Sequence, residues 1–183
     1  MQAVLLIGLP ASGKTSFYID RFLQTHVRLS LDVLATRKRE AELFLTCLRL
    51  RQRVVIDNTN VSVLERAAFI APARAAGFSV VGYHLDSDLS ACLSRNAGRI
   101  GKACIREEGL YSAAARFSMP MLEEGFDQLH RVRMTATRFK ISTLKERRAA
   151  EPFLDRSWAS NEKDAPSPQM DKIGRTRPNR IRD

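Results

Sequence analysis

The sequence has little of what disulfide-stabilised or membrane-spanning proteins need. Its 183 residues contain only three cysteines, Cys47, Cys92 and Cys104, and one tryptophan. The odd number and the absence of CxxC spacing argue against a disulfide framework and a zinc ribbon, and they suit a reducing compartment. No stretch approaches the ~20 consecutive apolar residues that span a bilayer. We therefore expect a cytoplasmic protein with no membrane partner, whose oligomeric state the sequence leaves open.

Acidic residues are scarce relative to basic ones. The chain has 30 lysines and arginines against 20 aspartates and glutamates, which gives a formal net charge of +10. A surface of this kind attracts polyanions such as nucleic acid and nucleotides. The same charge also keeps a protein soluble, and composition alone does not separate these two roles.

Short apolar runs alternate with stretches of helical periodicity along the first three quarters of the chain. Each run has the length of a buried strand. The alternation predicts a three-layer α/β fold with a mainly parallel, five-stranded sheet. Gly8, Asp32 and Asp57 follow three of these strands, so they are expected to meet at one edge of the sheet, where ligands bind. The predicted strands are Ala3–Ile7, Val27–Leu31, Arg53–Ile56, Phe78–Leu85 and Leu129–Met134.

The segments between these strands carry helix and loop signals. Val33–Arg51 reads as one helix, and Ser62 with Glu65 fits a capping box that starts another, which closes at Gly77. The glycine-containing and basic segment Gly98–Gly109 is typical of a mobile loop. These patterns support one domain over residues 1–142, followed by a basic, largely disordered C-terminal tail over residues 143–183.

The segment Gly8–Thr15 reads GLPASGKT and matches GxxxxGK[ST] without a gap. It follows a predicted strand and opens a predicted helix, which is the context that a phosphate-binding P-loop requires. Lys14 is expected to reach the β- and γ-phosphates, and the Thr15 hydroxyl to ligate Mg²⁺. The residues predicted to bind ATP in this loop are Gly8, Pro10, Ala11, Ser12, Gly13, Lys14, Thr15 and Ser16.

Two aspartates at predicted strand ends are candidates for catalysis and metal binding. Asp32 can accept a proton from an attacking hydroxyl, as a kinase requires, or it can cap the helix that follows. Asp57 follows an apolar strand, as does an acidic residue that holds Mg²⁺ in many P-loop proteins. The run Asp57–Asn60 also has turn-forming residues throughout, but four of them beside a P-loop favour a functional role.

Arg95 and Arg99 stand four residues apart on one face of a predicted helix, next to the glycine-containing loop. Arginines on a closing lid can neutralise charge on a transferring phosphoryl group. A solvated basic face is the alternative for either residue.

These motifs resemble the polynucleotide 5′-hydroxyl kinases, among the AAA-type ATP-binding kinase-like proteins. The resemblance rests on GLPASGKTSF, the strand-end Asp32, VVIDNTN at Val54–Asn60, and RNAGRIGKA at Arg95–Ala103. A later stretch from Pro120 through EGFD matches as well, so the similarity covers about residues 1–135. The motif IDNTN and the RN-containing lid segment are far more specific to this group than the P-loop.

The resemblance implies a compact P-loop kinase that uses ATP and Mg²⁺ and phosphorylates a 5′-hydroxyl end of nucleic acid. By position it implies catalytic roles for Asp32, Lys14 and Arg99. It also implies that Arg95 and Arg99 contact the nucleotide phosphates. The segment Asn58, Thr59 and Asn60 corresponds to a region near the acceptor, which makes these residues and Asp32 the candidate substrate-binding set. The metal ligands are expected to be Thr15 and Asp57.

The sequence departs from the family around the predicted base. Leu31 stands where several relatives have arginine, and no arginine follows Asp32 closely unless Arg37 substitutes for it. A small-molecule kinase on the same scaffold, acting on a metabolite, nucleotide sugar or antibiotic, is therefore an open alternative. A non-catalytic ATP-binding regulatory module is another. The basic charge favours a nucleic-acid acceptor, and Asp32 with the arginine-bearing lid favours an enzyme.

Overall fold

The computed structural model describes residues 1–135 and 138–144, apart from the side chain of Lys102. Strands and helices alternate from the first residues to Met134. The strands are β1 (Gln2–Ile7), β2 (Val27–Leu29), β3 (Val54–Asp57), β4 (Ser79–Leu85), β5 (Gln128–Met134) and β6 (Phe139–Thr143). The α-helices are α1 (Lys14–Arg21), α2 (Leu31–Leu34), α3 (Arg37–Arg49), α4 (Val63–Ala75), α5 (Leu89–Ala97) and α6 (Glu107–Ala115). Short 3₁₀ turns occupy Gly101–Ala103 and Leu122–Glu124.

The six strands form one sheet in the order β2-β3-β1-β4-β5-β6. The first five are parallel, and β6 pairs antiparallel with β5. The mainly parallel three-layer fold is confirmed, but the prediction of five strands is one too few. Strand β6 is an edge strand whose residues are mostly exposed, so it carries no apolar run that marks it in the sequence.

Strand β1 lies at the centre of the core, with Ala3–Ile7 completely buried. Successive side chains of a strand point to opposite faces. Leu5 therefore packs in the cluster that contains Phe44 and Phe69 of α3 and α4, whereas Leu6 packs with Phe17 of α1. Helices thus cover both faces of the sheet, and the loop after β1 is held between them.

The segment after β2 differs from its prediction. Strand β2 ends at Leu29, and the predicted single helix Val33–Arg51 is two helices separated by Ala35, which has a positive φ of 65°. The break occurs because Thr36 caps α3: its hydroxyl accepts a hydrogen bond from the Arg39 N–H. Asp32 consequently lies in the first turn of α2, not at the end of the strand.

Two other boundaries bear on the site. Ser62 caps α4 by accepting from the Glu65 N–H, which confirms the predicted helix start, and Gly77 follows the helix with a φ of 70°. The segment predicted as the loop Gly98–Gly109 contains the 3₁₀ turn and the first residues of α6. Of the predicted tail, residues 145–183 lie outside the described part of the chain. Leu144 donates its N–H to the Leu129 carbonyl at 2.8 Å, directly after β6.

Candidate active site

The P-loop connects β1 to α1 in a conformation that depends on two glycines. Gly8 has a φ of 152°, and a Cβ there would lie 2.9 Å from both the Leu85 carbonyl oxygen and the Ser12 hydroxyl. Gly13 has a φ of 97° and is the N-cap of α1, where no described side chain caps the helix. The first N–H groups of α1 therefore face the concave side of the loop, which is the arrangement that binds phosphate.

Lys14 is held inside this loop. Its ammonium donates hydrogen bonds to the carbonyl oxygens of Gly8 at 3.0 Å and Leu9 at 2.7 Å, and only 9% of the residue is exposed. Burial lowers the pKa of Lys14 to about 8, although the nearby Asp57 carboxylate opposes the shift. Bound phosphates would supply the negative charge that restores the ammonium form.

Thr15 and Asp57, the two predicted metal ligands, are in direct contact. The Thr15 hydroxyl donates to Asp57 Oδ2 at 3.0 Å. Register explains the meeting, because Leu6 of β1 pairs with Asp57 at the end of β3 and the P-loop starts two residues later. Hydroxyl and carboxylate oxygens are the hard ligands that Mg²⁺ prefers, and the ion usually takes its other ligands from phosphates and water. The residues present therefore fit a Mg²⁺–nucleotide complex.

Arg28 of β2 joins the same pair of side chains, which the sequence did not indicate. Its Nε donates to Asp57 Oδ2 at 2.8 Å, and a terminal nitrogen lies 2.6 Å from the same oxygen and 3.3 Å from the Thr15 hydroxyl. An arginine within a short strand gives no local motif. Only the pairing of β2 with β3 brings it to the site.

Asp32 is exposed in the first turn of α2, and the backbone that carries it is anchored to Asn58. The Leu31 N–H donates to Asn58 Oδ1 at 3.1 Å. The Asn58 amide in turn donates to Glu40, a carboxylate that is 1% exposed and that also pairs with Arg37 at 2.9 Å. The alternative N-cap role of Asp32 is wrong, because Ser30 and Thr36 occupy the N-cap positions of α2 and α3.

Thr59 and Asn60 support the P-loop from behind. The Gly8 N–H donates to the Thr59 carbonyl at 2.9 Å, and the buried Asn60 amide donates to the Leu6 carbonyl at 2.7 Å. Asn60 adopts a positive φ of 47°, which asparagine tolerates better than most residues. Of the three predicted acceptor residues, Asn58 is thus the one whose side chain reaches the Asp32 segment, whereas the Asn60 amide bonds to β1.

Arg66 fixes the other side of this segment. It is completely buried, and its guanidinium pairs with Glu124 through two hydrogen bonds of 2.6 and 2.8 Å. The remaining nitrogen donates to the carbonyls of Asn60, Val61 and Ser118, each at 3.1 Å. Each of the three nitrogens of this buried guanidinium has at least one acceptor, which indicates a structural role, and Arg66 braces the polar segment after β3.

The predicted lid arginines occupy different positions. Arg95 donates from Nε to the Ala11 carbonyl of the P-loop at 2.8 Å, so it is attached to the phosphate-binding loop. Arg99 lies further out and contacts the Ala103 carbonyl at 3.3 Å, yet its charge contributes to lowering the pKa of Lys14. Asn96 fixes the segment that carries Arg99: its side chain both donates to the Ile105 carbonyl and accepts from the Ile105 N–H.

A polar crevice of about 390 Å³ opens beside the P-loop. Arg131 and Arg133 line it and donate to Asp86 Oδ2 at 2.7 and 2.9 Å. Burial favours a raised pKa for Asp86, but the hydrogen bonds and charges of Arg133 and Arg131 outweigh it and lower this pKa. The sequence offered one signal for the crevice. Asp86 directly follows β4, and the two arginines are two residues apart in β5, so they share one face of the strand.

The chain matches a family of known proteins over most of its described length. The family described as AAA domain (AAA_33) matches residues 4–120, which include the P-loop, the Asp32 segment and the predicted lid arginines. The chain belongs to this family. The family has a P-loop kinase-like domain, and the sheet order and site geometry of this chain are consistent with such a domain.

One relative is named for two activities on polynucleotides. The bifunctional polynucleotide phosphatase/kinase of Schizosaccharomyces pombe is 29% identical over 135 residues, which cover 72% of this chain. They cover only 33% of the yeast protein, so this chain spans about a third of that relative's length.

Solved structures share the fold at low identity. A sugar kinase from Janibacter sp. HTCC2649 superposes with a TM-score of 0.57 at 14% identity, covering 72% of this chain and 85% of that one. Kti12 of Chaetomium thermophilum, in complex with ADP-AlF3, gives 0.55 at 15% identity, covering 70% and 87%. A gluconokinase from Sinorhizobium meliloti 1021 gives 0.53 at 16% identity, covering 72% and 82%.

Among the helices in residues 1–135 and 138–144, none combines the length and the apolar character needed to cross a bilayer.

Proposed function

We propose that the protein is an ATP-dependent kinase that transfers the γ-phosphate to the 5′-hydroxyl end of DNA or RNA. The observation that carries the proposal is the assembly at one sheet edge: a P-loop with a buried Lys14, the contact between Thr15 and Asp57, and Asp32 on a segment anchored by Asn58. The charge of Asp32 is among those that act on the pKa of Lys14, which supports a shared site.

The donor nucleotide fits the P-loop and the polar crevice beside it. The N–H groups at the start of α1 and the Lys14 ammonium would hold the phosphates. The crevice lined by Arg131 and Arg133 adjoins the loop, because the sulfur of Met134, which also lines it, lies 3.5 Å from the place that a Cβ would take on Gly13. We assign this crevice to the nucleoside part of ATP. Thr15 and Asp57 would hold Mg²⁺, which neutralises phosphate charge when bound.

Asp32 is the general base in this mechanism. Its carboxylate accepts the proton of the acceptor hydroxyl as that oxygen forms a bond to the γ-phosphorus and the bond to the β-phosphate oxygen breaks. ADP leaves, and the proton remains on Asp32 until water removes it. Asn58 contributes by fixing the Leu31 backbone next to the base. Arg99 would place its positive charge near the transferring phosphoryl group when the predicted lid segment moves toward the nucleotide.

The acceptor side carries exposed basic residues, which suit a phosphate chain. Helix α3 starts with Arg37, Lys38 and Arg39, five to seven residues after Asp32. Arg37 pairs with Glu40, so Lys38 and Arg39, both exposed, are the better candidates for backbone phosphates of a nucleic acid. The name of the yeast relative points to the same class of acceptor.

Two further expectations belong to this proposal. We place the reaction in the cytoplasm, because Cys47, Cys92 and Cys104 are free thiols. We also propose that the basic segment after Leu144 adds nonspecific affinity for nucleic acid, since Lys172, Arg175, Arg177, Arg180 and Arg182 outnumber the two aspartates around them. Removing residues 145–183 should then weaken binding to long strands and leave turnover on a very short acceptor nearly unchanged.

The test is transfer of label from γ-labelled ATP to a panel of 5′-hydroxyl oligonucleotides, nucleosides and sugars. We expect labelled oligonucleotides, with apparent affinity that rises over the first few nucleotides and falls steeply with added salt, because phosphate contacts release counterions. Labelling of a small metabolite without any labelled DNA or RNA would replace this proposal with a small-molecule kinase. ATP binding without transfer to any acceptor would favour a non-catalytic module.

A further inference from the structure

Arg28 of β2 contacts both predicted metal ligands. Its guanidinium reaches both side chains that the proposed function assigns to Mg²⁺. Two of its nitrogens lie within 2.8 Å of the single oxygen Oδ2 of Asp57, and one of them is also 3.3 Å from the Thr15 hydroxyl. The Thr15 hydroxyl donates to that same carboxylate oxygen.

The fold holds Arg28 in this position from two directions. Arg28 pairs in register with Val55 of β3, so its side chain emerges on the same face as Asp57, two residues further along. The ring of Tyr18 on α1 lies beneath the guanidinium, with its centroid 5.6 Å from the central carbon. The Asp57 side chain is 2% exposed and that of Arg28 is 27% exposed, so the pair lies at the boundary between core and site.

We propose that Arg28 occupies the oxygens of Asp57 and Thr15 in the nucleotide-free protein and so competes with Mg²⁺ for them. The proposal rests on the metal role that the proposed function gives to these two residues. Arg28 then balances the charge of Asp57 in the absence of metal, and it raises the Mg²⁺ concentration that the nucleotide complex needs.

The physical reason is that two cations share one set of acceptors. A carboxylate offers about four lone-pair sites over its two oxygens. The guanidinium and the Thr15 hydroxyl make three hydrogen bonds or close contacts on the single oxygen Oδ2, which is therefore fully occupied. A dication that binds nearby must approach a fixed positive charge and displace or share these contacts. Removing the guanidinium leaves a buried carboxylate without its positively charged partner. The carboxylate then gains more from Mg²⁺ than it does in the wild-type protein.

The competing explanation is an ordinary ion pair that only joins β2 to β3. Such a pair would affect stability and leave the Mg²⁺ requirement unchanged. The two explanations therefore differ in a quantity that does not depend on phosphoryl transfer.

The experiment compares wild type with Arg28→Met, Arg28→Lys and the control Arg74→Met. Arg74 forms a surface pair with Asp127 at 3.0 Å, away from the P-loop. ADP binding is measured by calorimetry over a range of Mg²⁺ concentrations, and thermal unfolding is measured in EDTA and in Mg²⁺ with ADP. For Arg28→Met we expect the half-saturating Mg²⁺ concentration to fall about tenfold, within the usual range of coupling between sites. Its unfolding midpoint should fall in EDTA, and Mg²⁺ with ADP should restore more of it than in wild type.

Arg28→Lys should give an intermediate Mg²⁺ requirement, since a single ammonium keeps the charge but cannot match the fork of donors. Arg74→Met should match wild type in its Mg²⁺ requirement. If Arg28→Met does not fold, the shift in Arg28→Lys decides in its place. An unchanged or higher Mg²⁺ requirement in the folded Arg28 variants would overturn the proposal.

The outcomes also separate this inference from the proposed function. If wild type binds ADP equally well in EDTA and in Mg²⁺, and Asp57→Asn changes nothing, the metal assignment fails and the role of Arg28 fails with it. If the Mg²⁺ shifts appear but no hydroxyl acceptor is phosphorylated, the kinase proposal fails and the role of Arg28 stands.

Discussion

The two halves of the candidate site are built differently. The donor half, made of the P-loop and the ends of β1 and β3, is buried and held by hydrogen bonds. Lys14 donates to two loop carbonyls, the Thr59 carbonyl accepts from the Gly8 N–H, and the Asn60 amide donates to the Leu6 carbonyl. In the acceptor half, Asp32 is exposed on a helix of four residues whose backbone is anchored to the rest of the site by Asn58. Nucleotide binding should therefore tolerate changes in the acceptor half, whereas turnover should not.

Lys14→Ala should break the donor half and have the largest effect. The substitution removes the positive charge from the β- and γ-phosphates, so we expect phosphoryl transfer to fall below detection and ADP affinity to drop by at least about tenfold. Calorimetry with ADP and label transfer from ATP measure the two quantities. Full affinity and turnover in this variant would show that the P-loop is not the donor site.

Asp32→Asn should break the acceptor half alone. The amide is nearly isosteric but accepts no proton, so turnover is expected to fall by about 10²–10⁴ while ADP binding persists. Because Asp32 is exposed and caps neither neighbouring helix, the unfolding midpoint should stay close to that of wild type. A matched loss of stability and activity would instead assign Asp32 a structural role.

Asn58→Ala sharpens the comparison, because Asn58 acts on the base through the backbone. Loss of its bond to the Leu31 N–H should displace Asp32 slightly and reduce kcat by about 10- to 100-fold, with little change in ADP affinity. The matched control is Asn96→Ala, which releases the lid at Ile105 and leaves the Asp32 segment intact. The account predicts different pH–rate profiles for the two variants, with the base affected only in Asn58→Ala. Identical profiles would contradict it.

A smaller effect is expected from pH on the donor half. Burial lowers the pKa of Lys14 to about 8, whereas the bound phosphates require the protonated form. Nucleotide binding should therefore take up a proton above pH 8, and ADP affinity should fall about tenfold between pH 7 and pH 9. The free protein shows the opposite sign: the unfolded chain keeps this proton up to the ordinary lysine pKa of 10.5, so the Lys14 contribution to stability rises with pH between 8 and 10.5.

Calorimetry in two buffers of different ionisation enthalpy reports that proton uptake directly. Lys14→Ala serves as the control and should lose the pH dependence. A constant ADP affinity across this range in wild type would show that the lysine remains fully protonated.

The sequence predicted the donor half better than the acceptor half, for a physical reason. The P-loop and Asp57 are local patterns, because a strand followed by glycines or by an acid specifies its own geometry. Arg28 and Arg66 act through strand pairing and long-range contacts that leave no local signal. The predicted end of β2 is wrong because the chain enters a helix of four residues at Ser30, and Thr36 then caps a separate helix of 13 residues.

The central claim is that a nucleotide held by the P-loop meets a hydroxyl at Asp32. The most direct measurement is label transfer from γ-labelled ATP to one short oligonucleotide prepared with either a 5′-hydroxyl or a 5′-phosphate, using wild type and Asp32→Asn. The account predicts transfer only by wild type and only to the 5′-hydroxyl strand, with both proteins binding ADP equally. Transfer to both strands, or unchanged transfer by Asp32→Asn, would contradict it.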